Sequence, residues 1–515
     1  MKLQEILLPF GLAVLTIWSL SYFWGPKSVE DTALIRPGQE FNVMRSAQMC
    51  YPTNTELDFY DQHLEQKTWV TTEVNGYHAD MIFSNGGAAL NQISFIRDLA
   101  GVQGFITTLQ SPLLNEHSKG AFLVALQEMT PYNFTLVSQS QTEEAQHLIF
   151  ESSTKQAKIT KEFIVSLKKY ELGLVVTVEP LVKDAAVQPR IFIPGPFMSE
   201  IVDQEKVSGI IFNERESLKK LAPEATVDVA WASPKIVGVE DRYFIAALVS
   251  DKDNFTQRAY FKRNEGNRLT AILEGPKVTE KTTWSMSFYY GPKEAAQLYA
   301  VDKRLEGVMD YGWLAPISKF LIFLLTFIYS YIGNYGWAII ILTVLMRVLL
   351  LPFVQKGKRN MRRSSELAQK LKHLEIKYKD DQEAYQQARM ELYKKYGMSP
   401  LSGCLPLLIQ LPVFIGLNFA LRNSIELYKA PFMLWIKDLS ARDPYYVLPA
   451  LIGISFFMAM SATSKDPRHK IAMFIAAMVI AGVTANLSAG LGLFIVVSSF
   501  LGVLENRLTQ GASAA

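Results

Sequence analysis

The stretch LTVLMRVLLLPF, from Leu342 to Phe353, has an arginine inside an apolar run. With the preceding WAIII (Trp337 to Ile341), the run is about long enough to cross a hydrocarbon core that is about 30 Å thick. The guanidinium of Arg347 cannot shed its proton. Insertion scales put the free energy of placing an arginine at the centre of a membrane helix at about 2.5–3.5 kcal/mol. A charge in such a position indicates function.

Composition favours a membrane protein with more than one domain. The chain has 515 residues, of which 49% are hydrophobic. Its net charge of only +3 argues against direct, sequence-specific nucleic-acid binding. The six histidines have no metal-ligand spacing, and neither a phosphate-binding loop nor a nucleophile elbow occurs, so we expect no metal, no cofactor and no enzyme of these classes.

The apolar runs predict six transmembrane helices around a large exported domain. The predicted spans are Ile6 to Trp24, Tyr335 to Phe353, Leu405 to Ile425, Tyr446 to Thr463, Ile471 to Leu487 and Gly490 to Leu508. We interpret the first as an uncleaved signal anchor, because bulky aromatic residues stand where a signal peptidase needs small ones. A cleaved signal peptide stays open.

These spans predict the fold class and the domain boundaries. The predicted class is a multi-domain membrane protein with a five-helix core, an N-terminal anchor and an antiparallel β-sandwich. The predicted segments are 1–24 (anchor), 25–50 (linker), 51–295 (β-sandwich), 296–334 (interfacial helices), 335–508 (helical core, with a cytoplasmic hairpin at 355–400) and 509–515 (tail).

Local patterns support this plan on both sides of residue 295. From Lys158 to Pro180 apolar residues alternate with mostly polar ones, which predicts a β-hairpin with one buried face. The run between Pro316 and Asn334 is apolar over only about a dozen residues, so we expect it to lie in the membrane interface. Two further helices are predicted between 355 and 400, with Asp380 or Asp381 capping the second, although a solvated linker is an alternative.

Charge bias orients the chain. Residues 355–400 carry twelve Lys and Arg against six Asp and Glu, which places this loop in the cytoplasm. The basic loop Ser464 to Lys470 then falls on the same side, together with both termini, and the β-sandwich is exported. Cys50 and Cys404 are thereby placed on opposite sides of the membrane, so no disulfide joins them.

Arg347 has no acidic partner in the middle of any later span. Glu505 comes closest, but it stands near the cytoplasmic end of the last span, so the sequence disfavours a closed ion pair. Lipid phosphate or a wet recess lined by neutral polar groups remains. Candidates for such a lining are Thr343, Gln410, Asn418 and Ser498.

Four motifs resemble the YidC/Oxa/Alb family of membrane protein insertases, as found in Gram-negative bacteria. They are SPLSGCLPLLIQLP (Ser399 to Pro412), APFMLWIKDLSARDPYYVLP (Ala430 to Pro449), DYGWLAPIS (Asp310 to Ser318) and the pair Thr343 and Arg347. The resemblance covers 310–508. It implies a multi-pass protein of the inner membrane, a periplasmic β-supersandwich similar to mutarotase folds, and a groove in which Arg347 receives hydrophilic parts of incoming proteins.

The same resemblance implies partners and contact residues. The partners are nascent membrane proteins, the Sec translocon, the translating ribosome and the lipid bilayer. Phe414 would line the path of the entering helix, and Phe494 and Ile495 stand where relatives usually have tyrosines. Ribosome or targeting contacts would come from the basic cytoplasmic residues Arg359, Arg362, Arg363, Lys394, Lys395, Lys465 and Arg468.

Two other classes of function stay open on sequence alone. A solute or ion transporter would also need an intramembrane charge, but it predicts inverted repeats, and we find no convincing repeat. A membrane-tethered carbohydrate enzyme could be housed in the β-sandwich, where His63, His78, His117 and His147 occur. Fold similarity by itself does not transfer activity.

Overall fold

The computed structural model describes residues 70–99, 102–110, 120–126, 133–154, 156–182, 186–196, 207–212, 218–226, 229–264, 268–309, 311–312, 314–378, 381–396, 405–461 and 467–511. The predicted signal anchor and linker, both cysteines, His63 and His117 lie outside these residues. The described chain divides into a β-rich unit, which ends at Met309, and a helical unit, which follows it.

The β-rich unit contains eighteen strands within its described residues. They are β1 (Thr71–Gly76), β2 (Ala79–Ser84), β3 (Ala89–Leu99), β4 (Val102–Gln110), β5 (Leu123–Leu126), β6 (Thr135–Gln141), β7 (Ala145–Ser153), β8 (Ala157–Ser166), β9 (Glu171–Pro180), β10 (Pro189–Pro194), β11 (Ser208–Phe212), β12 (Lys219–Leu221), β13 (Ala230–Ala232), β14 (Ile236–Glu240), β15 (Phe244–Asp251), β16 (Arg258–Asn264), β17 (Arg268–Glu274) and β18 (Thr282–Pro292). Helix α1 (Ala295–Val301) and a 3₁₀ turn (Lys303–Val308) follow.

These strands form three sheets, and every strand pair in them is antiparallel. The largest sheet has nine strands in the order β12-β11-β14-β15-β18-β9-β8-β7-β6. A five-stranded sheet has the order β13-β16-β17-β10-β5, and a four-stranded sheet runs β1-β2-β3-β4. The antiparallel pairing predicted from the period-two pattern is confirmed.

The predicted hairpin between Lys158 and Pro180 is confirmed as β8 and β9, paired in register with Phe163 opposite Leu174. Alternate residues are buried along all of β8 and along β9 as far as Val178. Phe163 packs against Phe83 and Phe150, with ring centroids 4.8 and 6.1 Å away. The hairpin therefore turns one face into an aromatic core.

Lys161 lies on the buried face of β8, where the alternation predicts an apolar side chain. It is fully buried, and its Nζ donates hydrogen bonds to the carbonyl oxygens of Gly87 (2.8 Å), Ala88 (2.9 Å) and Phe122 (2.5 Å). Ala88 and Phe122 both have positive φ, at 41° and 67°. The ammonium thus holds together two backbone segments that adopt unfavourable conformations.

Replacing Lys161 with methionine is expected to lower the free energy of unfolding of the β-rich unit by about 2–4 kcal/mol, because three buried carbonyls lose their donor. Lys158→Met is the matched control, since Lys158 is half-exposed and pairs with Glu151 at 3.0 Å. Hydrogen exchange of peptides from β8 and β9 in the full-length protein measures the difference. Equal protection in the two variants would contradict a stabilising role for Lys161.

Burial also lowers the pKa of Lys161 well below its usual range. The unfolded chain therefore binds this proton over a pH interval in which the folded chain does not, so stability rises with pH through that interval. The interval ends near the ordinary lysine pKa of about 10.4. Lys161→Met is expected to remove this part of the pH dependence.

The helical unit contains seven helices within its described residues. They are α2 (Ala315–Ile332), α3 (Tyr335–Lys377), α4 (Gln382–Tyr396), α5 (Leu405–Asn423), α6 (Val447–Ser461), α7 (Pro467–Thr484) and α8 (Ala489–Gly511). A 3₁₀ turn (Ile425–Leu427) begins the loop between α5 and α6.

Helix α3 is continuous over 43 residues, so the predicted span and the first predicted helix of the 355–400 segment form one helix. Asn334 starts the helix, because its Oδ1 accepts hydrogen bonds from the amides of Gly336 (2.9 Å) and Trp337 (3.3 Å). Pro352 lies inside the helix and removes only one backbone donor without ending it. Helix α4 then starts at the predicted cap, where Asp381 accepts from the amide of Ala384 at 3.0 Å.

Helix α2 is longer than the predicted apolar run of about a dozen residues. It has 18 residues and buries Leu321 and Leu325, while the opposite side exposes Phe323 and Tyr331 at 64% and 77%. Within the described residues, α2 and the Tyr335–Pro352 part of α3 are long and apolar enough to cross a membrane, and Val447–Met458, Lys470–Thr484 and Ala489–Glu505 are shorter apolar segments. An interfacial position for α2 stays a prediction.

Helices α2, α3, α5 and α8 share one hydrophobic core, which includes Leu321, Leu342, Leu417 and Phe494. The loop from 424 to 446 closes this core through a buried carboxylate. Asp443 accepts hydrogen bonds from Trp435 Nε1 (3.0 Å) and from the amide of Leu448 (2.6 Å) in the first turn of α6. Arg347 therefore lies in a packed helical bundle, and the loop from 424 to 446 is held to it by the hydrogen bonds of Asp443.

Candidate functional site

Arg347 lies in α3, one helical turn after Thr343. The Thr343 hydroxyl donates to the carbonyl oxygen of Ile339 at 2.6 Å, and the residue is 1% exposed. Its hydrogen-bonding capacity as a donor is thus used within its own helix. That the side chain of Thr343 lines the groove stays a prediction.

The guanidinium of Arg347 lies along helix α8. Its Nη2 donates to the carbonyl oxygen of Ser498 at 2.6 Å and to the Ser498 hydroxyl at 3.1 Å, and its Nε donates to the same hydroxyl at 3.2 Å. Ser498 is 7% exposed. The predicted neighbours Arg347 and Ser498, which are 151 positions apart in sequence, are therefore brought together.

Glu505 is also within reach of this arginine. The distance from Arg347 Nη1 to Glu505 Oε2 is 3.7 Å, and the two side chains are 18% and 15% exposed. The sequence disfavoured a closed ion pair with Arg347, and the structure places Glu505 within ion-pair distance of it. Glu505 lies near the end of α8, as expected from the sequence, and the long arginine side chain extends along α8 and reaches it two turns beyond Ser498.

Gly502 is a site residue that the sequence argument missed. A Cβ atom at this position would lie 3.2 Å from Nη2 and 3.6 Å from Nη1 of Arg347. Ser498, Gly502 and Glu505 are spaced by four and three residues, so they share one face of α8. The glycine lets the guanidinium lie flat on that face, and the small-residue spacing was the signal available in the sequence.

The arrangement leaves one side of the guanidinium fork open. Arginine has five N–H donors, and within the described residues those on Nε and Nη2 meet Ser498 while Nη1 has only the 3.7 Å ion pair. An incoming carboxylate or another oxygen acceptor can bind Nη1 with the geometry that arginine prefers. The site is therefore suited to holding a hydrophilic chain segment.

The other predicted groove residues lie on α5 and α8. Phe414 and Phe494 meet across the two helices with ring centroids 6.5 Å apart, and Ile495 packs against the shared core. Gln410 and Asn418 are half-buried on α5. Among the described residues, neither amide hydrogen-bonds to Arg347, so their contact with that residue stays a prediction.

The predicted cytoplasmic contact residues are distributed over three helices. Arg359, Arg362 and Arg363 lie on α3, Lys394 and Lys395 on α4, and Arg468 in the first turn of α7. Lys465 lies outside the described residues. Residues on α3 and α4 therefore supply most of this basic set.

Histidines in the described part of the β-rich unit form no metal site. His147 pairs with Glu162 at 2.9 Å on the surface of β7 and β8, and His78 stacks edge-on against Tyr77. No group of three or more potential metal ligands occurs among the described residues.

Two known families match this chain. The 60Kd inner membrane protein family matches residues 327–513, and the YidC periplasmic domain family matches residues 110–324. The first covers most of the helical unit and the second most of the β-rich unit. The chain is thus an inner-membrane protein with a periplasmic β-rich domain.

Two similar proteins support the same family assignment. A membrane protein insertase YidC of Geobacter sp. (strain M21) is 37% identical over 299 residues, which are 57% of this chain and 55% of the relative. A membrane protein insertase YidC of Geotalea daltonii is 30% identical over 451 residues, 82% of this chain and 83% of the relative. The matched stretch thus spans about half the length of the first relative and most of the second. The chain belongs to the YidC family of membrane protein insertases.

Two solved structures are similar at low identity. One, described as an active YidC insertase with its first transmembrane domain resolved, shares 16% identity and a TM-score of 0.38 over 86% of this chain and 93% of its own. A galactose mutarotase related enzyme from Lactobacillus acidophilus shares 9% identity and a TM-score of 0.29 over 43% of this chain and 97% of its own. TM-scores this low give neither likeness any weight for function.

Proposed function

We propose that this protein is a membrane protein insertase, which moves a hydrophilic segment of a nascent chain partway across the inner membrane and delivers the adjoining helix to lipid. The observation that carries the proposal is Arg347, a permanent cation among apolar helices whose Nη1 is open toward an acceptor. No covalent chemistry is needed, so the protein acts without cofactor and not as an enzyme.

Arg347 lowers the barrier for the hydrophilic segment. A polar or acidic chain that enters hydrocarbon alone loses its hydration without compensation, which costs several kcal/mol for each unsatisfied group. A partly exposed guanidinium replaces part of that hydration by charge-assisted hydrogen bonds, which are about twice as strong as neutral ones. We infer that Arg347 lies in a recess that faces the cytoplasm, and that the hydrophilic segment binds there transiently.

The entering helix provides the driving force. Apolar surface that leaves water gains about 25 cal/mol per Å², so one helix of about 20 residues outweighs a few transient polar contacts. Helix α7 offers an apolar outer face, because Ile471, Phe474 and Met478 are all more than half exposed. This face, together with Phe414 on α5, is suited to contact an apolar helix on its way into lipid.

The topology and the partners of the insertase belong to the same proposal. We infer six spans, with both termini and helix α4 in the cytoplasm. The basic residues of α3 and α4 suit contact with the translating ribosome. Contact with the Sec translocon rests on the family resemblance.

Reconstitution tests the function. The purified full-length protein in proteoliposomes is expected to protect the translocated segment of a newly synthesised single-span protein from external protease. Liposomes lacking the protein are the baseline. Equal protection in both would exclude insertase activity, and uptake of a labelled solute that depends on Arg347 would favour a transporter.

Removal of 46–292, which deletes all eighteen strands and keeps α1, is expected to leave at least about half of the insertion activity. The reason is that, among the described residues, the hydrogen-bond and ion-pair partners of Arg347 lie on α8, outside the deleted segment. The same protease-protection assay measures the outcome, with membrane levels of both proteins matched by immunoblot. Loss of all activity at matched levels would show that the β-rich unit takes part in insertion.

A further inference from the structure

The carboxylate of Glu505 occupies a place that an acidic segment of a substrate would also need. It is held opposite Nη1, the side of the Arg347 fork that Ser498 leaves open. At 3.7 Å the pair is closer than a solvent-separated contact but longer than a hydrogen bond. A carboxylate that binds Nη1 directly would gain the short hydrogen bond that Glu505 does not make.

We propose that Glu505 is the resident counter-ion of Arg347 and that it sets the charge selectivity of the groove, because an incoming acidic segment must displace it. This inference rests on the proposed insertase function. In the resting protein Glu505 offsets the charge of Arg347, which makes the isolated cation less costly inside the helical bundle. During insertion it competes with the substrate.

The competition favours release of the substrate. Glu505 is tethered to α8, so its effective concentration at Arg347 is high and it returns as soon as the substrate moves on. A neutral hydrophilic segment does not have to replace the negative charge of Glu505, and it can accept a hydrogen bond from one of the two N–H groups of Nη1 while Glu505 stays nearby. The ratio of insertion between acidic and neutral substrates is therefore the quantity that Glu505 controls.

Glu505→Gln keeps the size of the side chain and removes its charge. The expected result is that an acidic translocated segment crosslinks to the groove about three- to tenfold more than in the unchanged protein, a range that corresponds to about 0.7–1.4 kcal/mol. A matched neutral segment is expected to change less than twofold. Glu505→Asp keeps the charge and is expected to retain most of the original ratio.

A double-mutant cycle separates pairing from a structural effect. In an Arg347→Gln background, Glu505→Gln is expected to leave the acidic-to-neutral ratio unchanged, because the residue it competes for is absent. Glu426→Gln, in the loop between α5 and α6, is the control for loss of a carboxylate elsewhere in the helical unit. All variants are compared as full-length proteins in proteoliposomes.

The outcomes distinguish this inference from the proposed function. An unchanged ratio in Glu505→Gln, or the same change with and without Arg347, would overturn the role of Glu505 while insertion of the neutral substrate continues. If the unchanged protein inserts neither substrate, the proposed function fails instead. A change in ratio that requires both residues supports the counter-ion role.

Discussion

Arg347→Glu is expected to reduce insertion of substrates with acidic translocated segments by at least about tenfold, the largest effect of any single substitution here. The change removes the attractive charge and places a second carboxylate near Glu505, which now lies 3.7 Å from the guanidinium. Like charges in a medium of low dielectric repel each other and any acidic segment that enters. A tenfold loss corresponds to about 1.4 kcal/mol, well within such a penalty.

The measurement is protease protection of paired substrates that differ only in the acidic residues of the translocated segment. Insertion of the neutral substrate is expected to fall less than threefold. Arg422→Glu, at an exposed position in the last turn of α5, is the control, because it reverses the same charge on a different helix. Full activity of Arg347→Glu on the acidic substrate would remove the electrostatic role of the residue.

Gly502→Val is expected to reduce insertion of the acidic substrate about five- to tenfold, with all charges left in place. A Cβ alone would approach Nη2 of Arg347 to 3.2 Å, and the γ carbons of valine would overlap the guanidinium. The side chain must leave α8 and thereby loses its hydrogen bonds to Ser498. Hydrogen bonds to charged groups contribute about 1.5–3 kcal/mol each, so loss of position has a large effect.

Gly482→Val is the control for that experiment, and the acidic-to-neutral ratio is the quantity compared, because Gly482 lies one turn after Met478 on the outer face of α7 and a larger side chain there would affect both substrates alike. Gly482 lies in α7, and a Cβ atom there would have no neighbour within 4 Å. Both substitutions place valine inside a helix, so they share the same change in helix propensity. If the two variants give the same acidic-to-neutral ratio, the placement of Arg347 on α8 does not matter for the reaction.

The β-hairpin β8–β9 could be predicted because apolar residues alternate with mostly polar ones, and only one strand register buries most of the apolar side chains. Lys161 could not be assigned to the core in the same way. Its burial depends on carbonyl oxygens of Gly87 and Phe122, which come from distant segments with unusual backbone conformations. Local pattern carries no information about such partners.

In the helical unit, too, the positions of elements could be predicted from the sequence, whereas other features could not. The apolar runs predicted α5 to α8 to within a few residues, because the hydrophobic pattern sets where each helix lies. The sequence did not predict that α3 continues through Pro352 into the basic segment, because the hydrophobic pattern alone does not fix whether a helix continues past a proline.

Arg347 was identifiable from its cost in an apolar run, but its surroundings were not. The pairing with Glu505 and the flat contact over Gly502 depend on the approach of α3 to α8. That approach comes from tertiary packing around Leu342 and Phe494, and helix periodicity does not fix it. Residue type thus indicated the site, and only the packed helices gave its geometry.

Photocrosslinking from position 495 tests most directly whether Arg347 receives the hydrophilic segment of an entering protein. Ile495 lies one turn before Ser498 on α8, so a photoreactive side chain there leaves Arg347 intact. With a stalled nascent chain, crosslinks are expected to the acidic segment next to the substrate helix and to weaken in Arg347→Gln. Crosslinks only to lipid, or an identical pattern in Arg347→Gln, would contradict a hydrated, substrate-binding arginine.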